Sequence, residues 1–252
     1  MDFSDPAQRA AFFAVHNDMP REGPGDRASV VEALRLAGPL PARPNVLDLA
    51  CGPGGQTLDL AELLPDARIT ALDGYRPFLE QLEVRAQAAG VLDRISIEHG
   101  DMGRLPYPPQ SFDLIWCEGA AYIVGFASAL AAWKPLLKPG GVLALTEPVW
   151  LTDDPPDAVA ACWAEYPAME DVASARRRAL VHGYDLAGDF VLTDAAWWTH
   201  YYGPLEARLD AAAARLAGDV VAEAVLAEIR DEIECRRAYP GHYGYLFLVL
   251  RA

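Results

Sequence analysis

The sequence predicts an α/β fold in which a mostly parallel sheet carries helices on both faces. Between residues 45 and 150, short apolar segments alternate with amphipathic segments of helical period. Such apolar segments are typical of strands buried on both faces, and helices between them are typical of parallel strands. The chain has 252 residues, of which 52% are hydrophobic, so it can bury a large core.

The N-terminal part of the chain is expected to form two helices. One covers about residues 5–16, and the second, RASVVEALRLAG, follows Asp26, whose side chain can cap it. MPREGPGD separates them with two prolines and two glycines, and this composition looks like a hinge. We therefore expect residues 1–24 to be loose without a ligand and ordered with one, as a cover that excludes water.

The alternating region begins after GPLPARP. Its predicted strands are NVLDLA, ARITALD, RISIEHG, FDLIWC and VLALTEP. The helices between them are GQTLDLAELLP, RPFLEQLEVRAQAAG and FASALAAWKPLLKPGG. These strands and helices predict a buried sheet with its helices on either side.

The last hundred residues read as helices and two strands. Residues 155–182 look helical, DFVLTDAAWWTHYY reads as a strand, and HYGYLFLVLRA closes the chain as another strand. One or two helices are expected between these strands. We expect a single domain, with a core at about 40–150 and 242–252 and cover elements at 1–39 and 148–240.

The charge of the chain limits its partners. The formal net charge of −15 would repel nucleic acid and anionic lipid surfaces, whereas a small or cationic ligand fits it. No apolar run is long enough to cross a bilayer, and the first residues do not resemble a secretory signal. The four cysteines show no C-x-x-C spacing, so they support neither a metal site nor a disulfide. We expect a cytoplasmic protein.

A glycine-rich turn, VLDLACGPGGQ, follows the first predicted strand. In open parallel sheets, ligands bind beyond the carboxyl ends of the strands, and glycines allow a ligand to lie against the main chain. Gly52, Gly54 and Gly55 leave such a place at the start of a helix. By itself the pattern is also compatible with a plain tight turn.

Acidic residues at the ends of three predicted strands indicate which chemical groups the ligand contains. Asp73 ends the second strand, where a carboxylate can bind both ribose hydroxyls, and Asp101-Met102 follows the third, where an adenine could lie. Thr57 stands where a dinucleotide fingerprint has its third glycine. Asp48 would repel a pyrophosphate but suits an ammonium group. These features favour S-adenosylmethionine over NAD.

The motifs VLDLACGPGGQT, ITALDG, GDMGRLPY, FDLIWCEGA and LLKPGGVLALTEP resemble, in order and spacing, those of class I S-adenosylmethionine-dependent methyltransferases. Further segments, among them EGPGD and WTHYYGP, resemble bacterial small-molecule methyltransferases of unassigned substrate. The resemblance implies a Rossmann-like, doubly wound, seven-stranded sheet whose last strand is antiparallel. That strand would pair with the strand near 190–200. The implied cofactor is S-adenosyl-L-methionine, and the implied acceptor is a small molecule.

The resemblance also implies a set of cofactor contacts. The methionine end would be bordered by Asp48, Gly52 and Gly54, with Gln56 near it. The ribose would be bound by Asp73 and flanked by Gly74, and the adenine would be held by Asp101 and Met102. Glu118, after the fourth strand, would face the sulfonium and the acceptor.

Glu118 and His200 are the candidates for a catalytic role. A carboxylate directly after an apolar strand is costly to bury without a partner, which a sulfonium or a substrate could provide. His200 follows the predicted strand DFVLTDAAWWTHYY and could act as a base. His16, Tyr122, Trp150 and Tyr201 are candidates for the acceptor pocket, although aromatic clusters are more often core.

Two other functions remain open at this point. One is an NAD-dependent oxidoreductase, which Asp48 and Thr57 disfavour. The other is a protein that binds S-adenosylmethionine without catalysis. The atom of the acceptor that would be methylated is not indicated by the sequence, nor is the oligomeric state.

Overall fold

The computed structural model describes residues 4–252, which form one eight-stranded sheet and the helices around it. The strands lie in the order β3-β2-β1-β4-β5-β8-β7, and β6 pairs with β5. All neighbours are parallel except that β8 runs antiparallel to both β5 and β7. This confirms the mostly parallel sheet with an antiparallel last strand. The strands are β1 (Asn45–Leu49), β2 (Arg68–Asp73), β3 (Ile95–His99), β4 (Phe112–Cys117), β5 (Leu137–Trp150), β6 (Glu170–Asp171), β7 (Asp185–Val191) and β8 (Tyr243–Arg251).

Helices connect the strands and continue beyond the alternating region. Asp26 caps the second helix as predicted, because its side chain accepts a hydrogen bond from the Ser29 amide at 2.7 Å. No helix of residues 4–252 has both the length and the apolar character that a membrane span requires. The helices are α1 (Pro6–His16), α2 (Arg27–Ala37), α3 (Gly55–Leu63), α4 (Arg76–Ala88), α5 (Ala121–Val124), α6 (Phe126–Trp133), α7 (Asp157–Cys162), α8 (Val172–Val181), α9 (Asp194–Trp197), α10 (Gly203–Arg215) and α11 (Val220–Ala238).

The sheet separates two hydrophobic cores. Alternate residues of each central strand point to opposite faces, so in β1 Val46 joins one core and Leu47 the other. Every residue of β4 is buried. This explains why the central strands read as continuous apolar runs rather than as alternating ones. The arrangement aligns the carboxyl ends of β1 to β5 along one edge of the sheet.

The predicted strand DFVLTDAAWWTHYY is wrong in its second half. β7 ends at Val191, α9 follows, and Trp198–Tyr202 form a π-helical turn. The aromatic residues suggested a strand, but the buried side chains Trp197, Tyr201 and Leu205 follow a spacing of four, which is helical. Hence β8 pairs with residues 185–191 and not with a strand near 190–200.

A disulfide joins Cys162 of α7 to Cys235 of α11, 73 residues apart in the sequence. The sequence supported no disulfide, so this part of the interpretation is corrected. The pairing depends on the tertiary contact between α7 and α11, which the spacing of the cysteines does not reveal. Cys51 and Cys117 are free thiols buried at the ends of β1 and β4.

Candidate active site

The loop after β1 contains two glycines with left-handed backbone, Gly52 at φ +54° and Gly54 at φ +91°. The two have different surroundings. A side chain at Gly54 would overlap Leu82 of α4, so this glycine allows α3 and α4 to pack closely. The space in front of Gly52 instead contains the side chain of Glu22, whose Cγ lies 3.4 Å from the Cβ position of Gly52.

Asp73, at the end of β2, fixes the glycine loop. Its Oδ2 accepts a hydrogen bond from the Gly52 amide at 2.9 Å, and Oδ1 accepts one from the Tyr75 amide at 2.8 Å. Burial raises the pKa of Asp73, and these amide donors act in the opposite direction. The Gly74 amide is a third donor, so about one of the four acceptor sites of the carboxylate is left for a ligand while the residue holds the loop.

Asp48 is fully buried beneath the loop. Its carboxylate accepts hydrogen bonds from the Thr57 hydroxyl at 2.5 Å and the Gln56 amide at 3.4 Å. Burial raises its pKa to about 7, although both hydrogen bonds oppose this. Thr57, noted in the sequence only as a departure from the dinucleotide pattern, therefore has a structural role as a partner of Asp48.

The region after β3 lies next to Asp73. Gly74 approaches this region closely, because its Cβ position would lie 3.6 Å from the Gly100 carbonyl. Asp101 is exposed, and its Oδ1 accepts a hydrogen bond from the Gly103 amide at 2.8 Å. Met102 is half-buried and packs on the core beneath. The structure therefore brings these predicted residues to the same edge as Asp73.

Glu118 already has protein partners. Arg21 donates to its Oε2 at 3.0 Å, and the Trp116 indole donates to its Oε1 at 2.8 Å. The sequence interpretation expected a ligand to compensate this buried carboxylate, but Arg21 does so. Arg21 also donates to Asp59 of α3 at 2.7 Å. The sequence could not indicate this pairing, because Arg21 and Glu118 are 97 residues apart.

Residues 19–26, which lie between α1 and α2 and which we call the connecting segment, pack on the glycine loop through Arg21 and Glu22. Met19 is fully buried, and Arg85 of α4 donates to the carbonyls of Met19 and Pro20. A side chain at Gly25 would overlap Glu118, which explains the glycine there. The prolines and glycines of this segment predicted a hinge, but the sequence gave no role to Arg21 or Glu22.

His16, at the end of α1, is 2% exposed and contacts the connecting segment. Its Nδ1 lies 2.8 Å from Oε2 of Glu22. Burial, together with the charge of Arg208, lowers the pKa of His16 to about 3. Burial raises the pKa of Glu22 to about 9, with a further contribution from Asp73. Both side chains are therefore uncharged near neutral pH.

His200 lies on the π-helical turn and is exposed. The predicted strand would have placed it at the ligand-binding edge of the sheet, and that strand is absent. The ring instead faces solvent, because its buried neighbours Tyr201 and Tyr202 occupy the inner side of the turn. Its position does not support the predicted catalytic role.

An aromatic cluster, consisting of Tyr122, Trp197, Tyr201 and Tyr245, lies beside the connecting segment. The Tyr201 ring centroid is 6.4 Å from that of His16, and Tyr122 shares a hydrogen bond with Tyr245. The cluster also approaches the end of β4, because Tyr245 lies 3.8 Å from the Cβ position of Gly119. Tyr122 and Tyr201 thus belong to one cluster between His16 and the end of β4.

Trp150 is half-buried at the end of β5, in register with Tyr243 of β8. In the same strand, Glu147 is 3% exposed and accepts a hydrogen bond from the Tyr166 hydroxyl at 2.6 Å. Burial raises the pKa of Glu147 to about 8. The sequence interpretation missed Glu147, although a carboxylate inside the apolar run VLALTEP was a visible signal.

The polar groups around the loop favour a ligand without phosphate. Arg21 is held by two carboxylates, and Arg85 donates to main-chain carbonyls. The acidic groups Asp48, Asp73 and Glu22 surround the loop itself. A pyrophosphate would meet these carboxyl groups, whereas an adenosine with a cationic tail would find hydrogen-bond acceptors.

Comparisons with known proteins agree with this geometry. Residues 46–141 match the family described as "Methyltransferase domain". The trans-aconitate 2-methyltransferase of Paracidovorax citrulli is 30% identical over 186 residues, which cover 71% of this chain and 70% of that enzyme. The 27-O-demethylrifamycin SV methyltransferase of Amycolatopsis mediterranei is 35% identical over 114 residues, which cover 44% of this chain and only 42% of that enzyme.

A similar solved structure is an S-adenosylmethionine-dependent methyltransferase from Geobacter sulfurreducens in complex with S-adenosylhomocysteine. It superposes with a TM-score of 0.82 at 22% identity, covering 96% of this chain and 97% of that one. The similarity therefore extends over the whole fold, including the helices outside the sheet.

Proposed function

Because this chain belongs to the S-adenosylmethionine-dependent methyltransferases, we propose that it transfers a methyl group to a small molecule held between the connecting segment and the aromatic cluster. The observation that carries this proposal is the glycine loop tied to Asp73 at the edge where the parallel strands end. Bound there, the cofactor supplies a methyl group on a sulfonium. The protein has to orient the acceptor and exclude water.

We assign the cofactor contacts from the positions of the polar groups. Asp73 binds the ribose and Gly74 flanks it, while Asp101 and Met102 hold the adenine. The aminoacyl end lies over Gly52. Gly54 and Asp48 support that loop from within, since Gly54 packs on Leu82 and Asp48 is bonded to Gln56 and Thr57.

On the acceptor side, we assign the pocket to His16, Tyr122 and Tyr201, with Trp150 at its far end. Glu118 borders the sulfonium while it holds the connecting segment through Arg21. Oε2 of Glu147 is buried and lacks a hydrogen-bond partner within residues 4–252, which favours an acceptor that donates a hydrogen bond over an anion such as trans-aconitate. The acceptor is therefore a neutral or cationic molecule, which also fits the net charge of −15.

Two measurements test this function. Titration calorimetry should show binding of S-adenosylhomocysteine and no binding of NADH. Formation of S-adenosylhomocysteine in the presence of a panel of amines, phenols and carboxylic acids should then show turnover with uncharged or cationic acceptors. Binding without turnover on any acceptor would favour a non-catalytic protein, and binding of NADH alone would favour an oxidoreductase.

We further propose that the chain acts as one domain, with a core at about 40–150 and 242–252, and that it works in the cytoplasm without a nucleic-acid partner. The single sheet that includes both core segments supports the first point. Its acidic charge supports the last. Cell fractionation tests the location.

A further inference from the structure

Glu22 has an unusual position for a glutamate. It lies in the connecting segment, between Arg21 and Gly23, yet its side chain is only 17% exposed. That side chain lies against Gly52, the glycine whose missing Cβ opens the loop. A carboxyl group thus stands at the part of the loop where the main chain is accessible.

One oxygen of this carboxyl group lacks a partner. Oε2 is bonded to His16 Nδ1, but Oε1 is buried and makes no hydrogen bond within residues 4–252. A buried acceptor without a donor destabilises the fold, because it has lost its hydrogen bonds to water and gained none in return. Such an atom beside a ligand loop indicates that a donor is supplied by the ligand.

We propose that Glu22 binds the α-ammonium group of S-adenosylmethionine, with Oε1 as the acceptor. This assignment rests on the proposed function, because it takes the aminoacyl end of the cofactor to lie over Gly52. Asp48 cannot serve the ammonium equally well, since it is fully buried and its oxygens accept from Gln56 and Thr57. The adenosine half of the cofactor is left to Asp73 and Asp101.

The charges around Glu22 are consistent with a site that a cationic group of the ligand completes. Burial and then the charge of Asp73 raise the pKa of Glu22 to about 9, while Arg85 and Arg208 oppose this shift. His16 adds no positive charge, since its own pKa is lowered to about 3. An ammonium group at Oε1 would favour the ionised carboxylate and would convert the contact into a charge-assisted hydrogen bond.

Arg21 explains how the connecting segment can place Glu22 reliably. Its guanidinium bridges Asp59 of α3 and Glu118 after β4, so the neighbouring residue is fixed at two points. Arg21 therefore anchors the main chain next to Glu22. Arg85 adds a third attachment through the carbonyls of Met19 and Pro20.

The test compares two ligands on one variant. S-adenosylhomocysteine carries the ammonium group, whereas 5′-methylthioadenosine has the same adenosine and lacks the aminoacyl end. Glu22→Gln keeps the shape of the side chain and removes its charge. We expect it to weaken S-adenosylhomocysteine binding about 10-fold and to leave 5′-methylthioadenosine within about twofold, by titration calorimetry.

Glu83→Gln, on an exposed position of α4, is the matched control and should change neither affinity. Unchanged S-adenosylhomocysteine binding in Glu22→Gln would overturn the proposal. An equal loss of both ligands would overturn it as well, because Glu22 would then act on the adenosine half or on the fold. If the parent protein binds neither ligand, the proposed function itself fails, which is a distinguishable result.

Discussion

Arg21 and Glu118 form a buried ion pair that joins the connecting segment to the carboxyl end of β4. Nη1 of Arg21 lies 3.0 Å from Oε2 of Glu118, and the two side chains are 6% and 4% exposed. Because removing one partner leaves the other charge buried and unpaired, such pairs are sensitive to single substitutions. The pair therefore controls how firmly the connecting segment covers the loop.

Arg21→Met should lower the free energy of unfolding by about 3 kcal/mol, because Glu118 and Asp59 lose their shared cation. Urea denaturation measures this change. The double variant Arg21→Met/Glu118→Gln should recover part of the loss, since the unpaired charge is then absent. Arg27→Met is the control, because Arg27 is 44% exposed and its ion pairs should contribute less than about 1 kcal/mol. Equal effects of the two single variants would contradict this account.

Asp73→Ala should weaken S-adenosylhomocysteine binding by about 10-fold or more. The substitution removes the charge-assisted hydrogen bonds to the ribose, for which we expect roughly 1.5–3 kcal/mol. It also releases the Gly52 amide, so the loop loses an anchor. Titration calorimetry gives the affinity, and an affinity equal to that of the parent would disprove the ribose assignment.

Gly52→Val should abolish cofactor binding while the protein stays folded. A branched side chain at φ +54° is strained and would occupy the space over the loop. Gly90→Val is the control for strain alone, because Gly90 has φ +68° and nothing within 4 Å of its Cβ position. Both variants should lose similar stability in thermal unfolding, but only Gly52→Val should lose binding. Retained binding in Gly52→Val would show that the cofactor lies elsewhere.

The sheet and the loop were predictable because their signals are local. β1 and β2 are apolar runs that end at a glycine turn and at Asp73, and each signal lies within a few residues of the feature it predicts. The same is true of the Asp26 cap. A short sequence window is sufficient for all of these features.

The partners of the buried charges were not predictable. Arg21 pairs with Glu118, and Cys162 with Cys235, only because the tertiary structure brings segments distant in the sequence together. The prediction of a strand around His200 was wrong for another reason. Its aromatic residues have a high strand propensity, but burial of Trp197 and Tyr201 on one side decided for a helix.

Glu147 should make stability depend on pH. Burial raises its pKa from an ordinary 4.5 to about 8, and Glu170 adds to this while Tyr166 and Arg178 oppose it. The folded protein keeps this proton up to about pH 8, whereas the unfolded chain releases it near 4.5, so stability falls as the pH rises between these values. Glu147→Gln removes this loss. In urea denaturation, the free energy of unfolding of the variant relative to that of the parent should rise by on the order of 1 kcal/mol per pH unit between about pH 5 and 8. A constant difference across this range would contradict the shift.

The connecting segment should become better ordered when the cofactor binds. The Glu22 side chain lies against Gly52, so a ligand that binds over the loop must either displace this side chain or form a hydrogen bond with it. The expectation covers residues 1–24, of which 1–3 lie outside the described residues. Without ligand, its attachments through Arg21 and Arg85 can open locally, whereas an ammonium contact to Glu22 would add a further attachment. Hydrogen exchange of residues 10–24 should therefore slow when S-adenosylhomocysteine is added, while exchange in α6 (Phe126–Trp133) should not change. Equal protection of residues 10–24 with and without ligand would mean that α1 and the connecting segment are a fixed part of the fold.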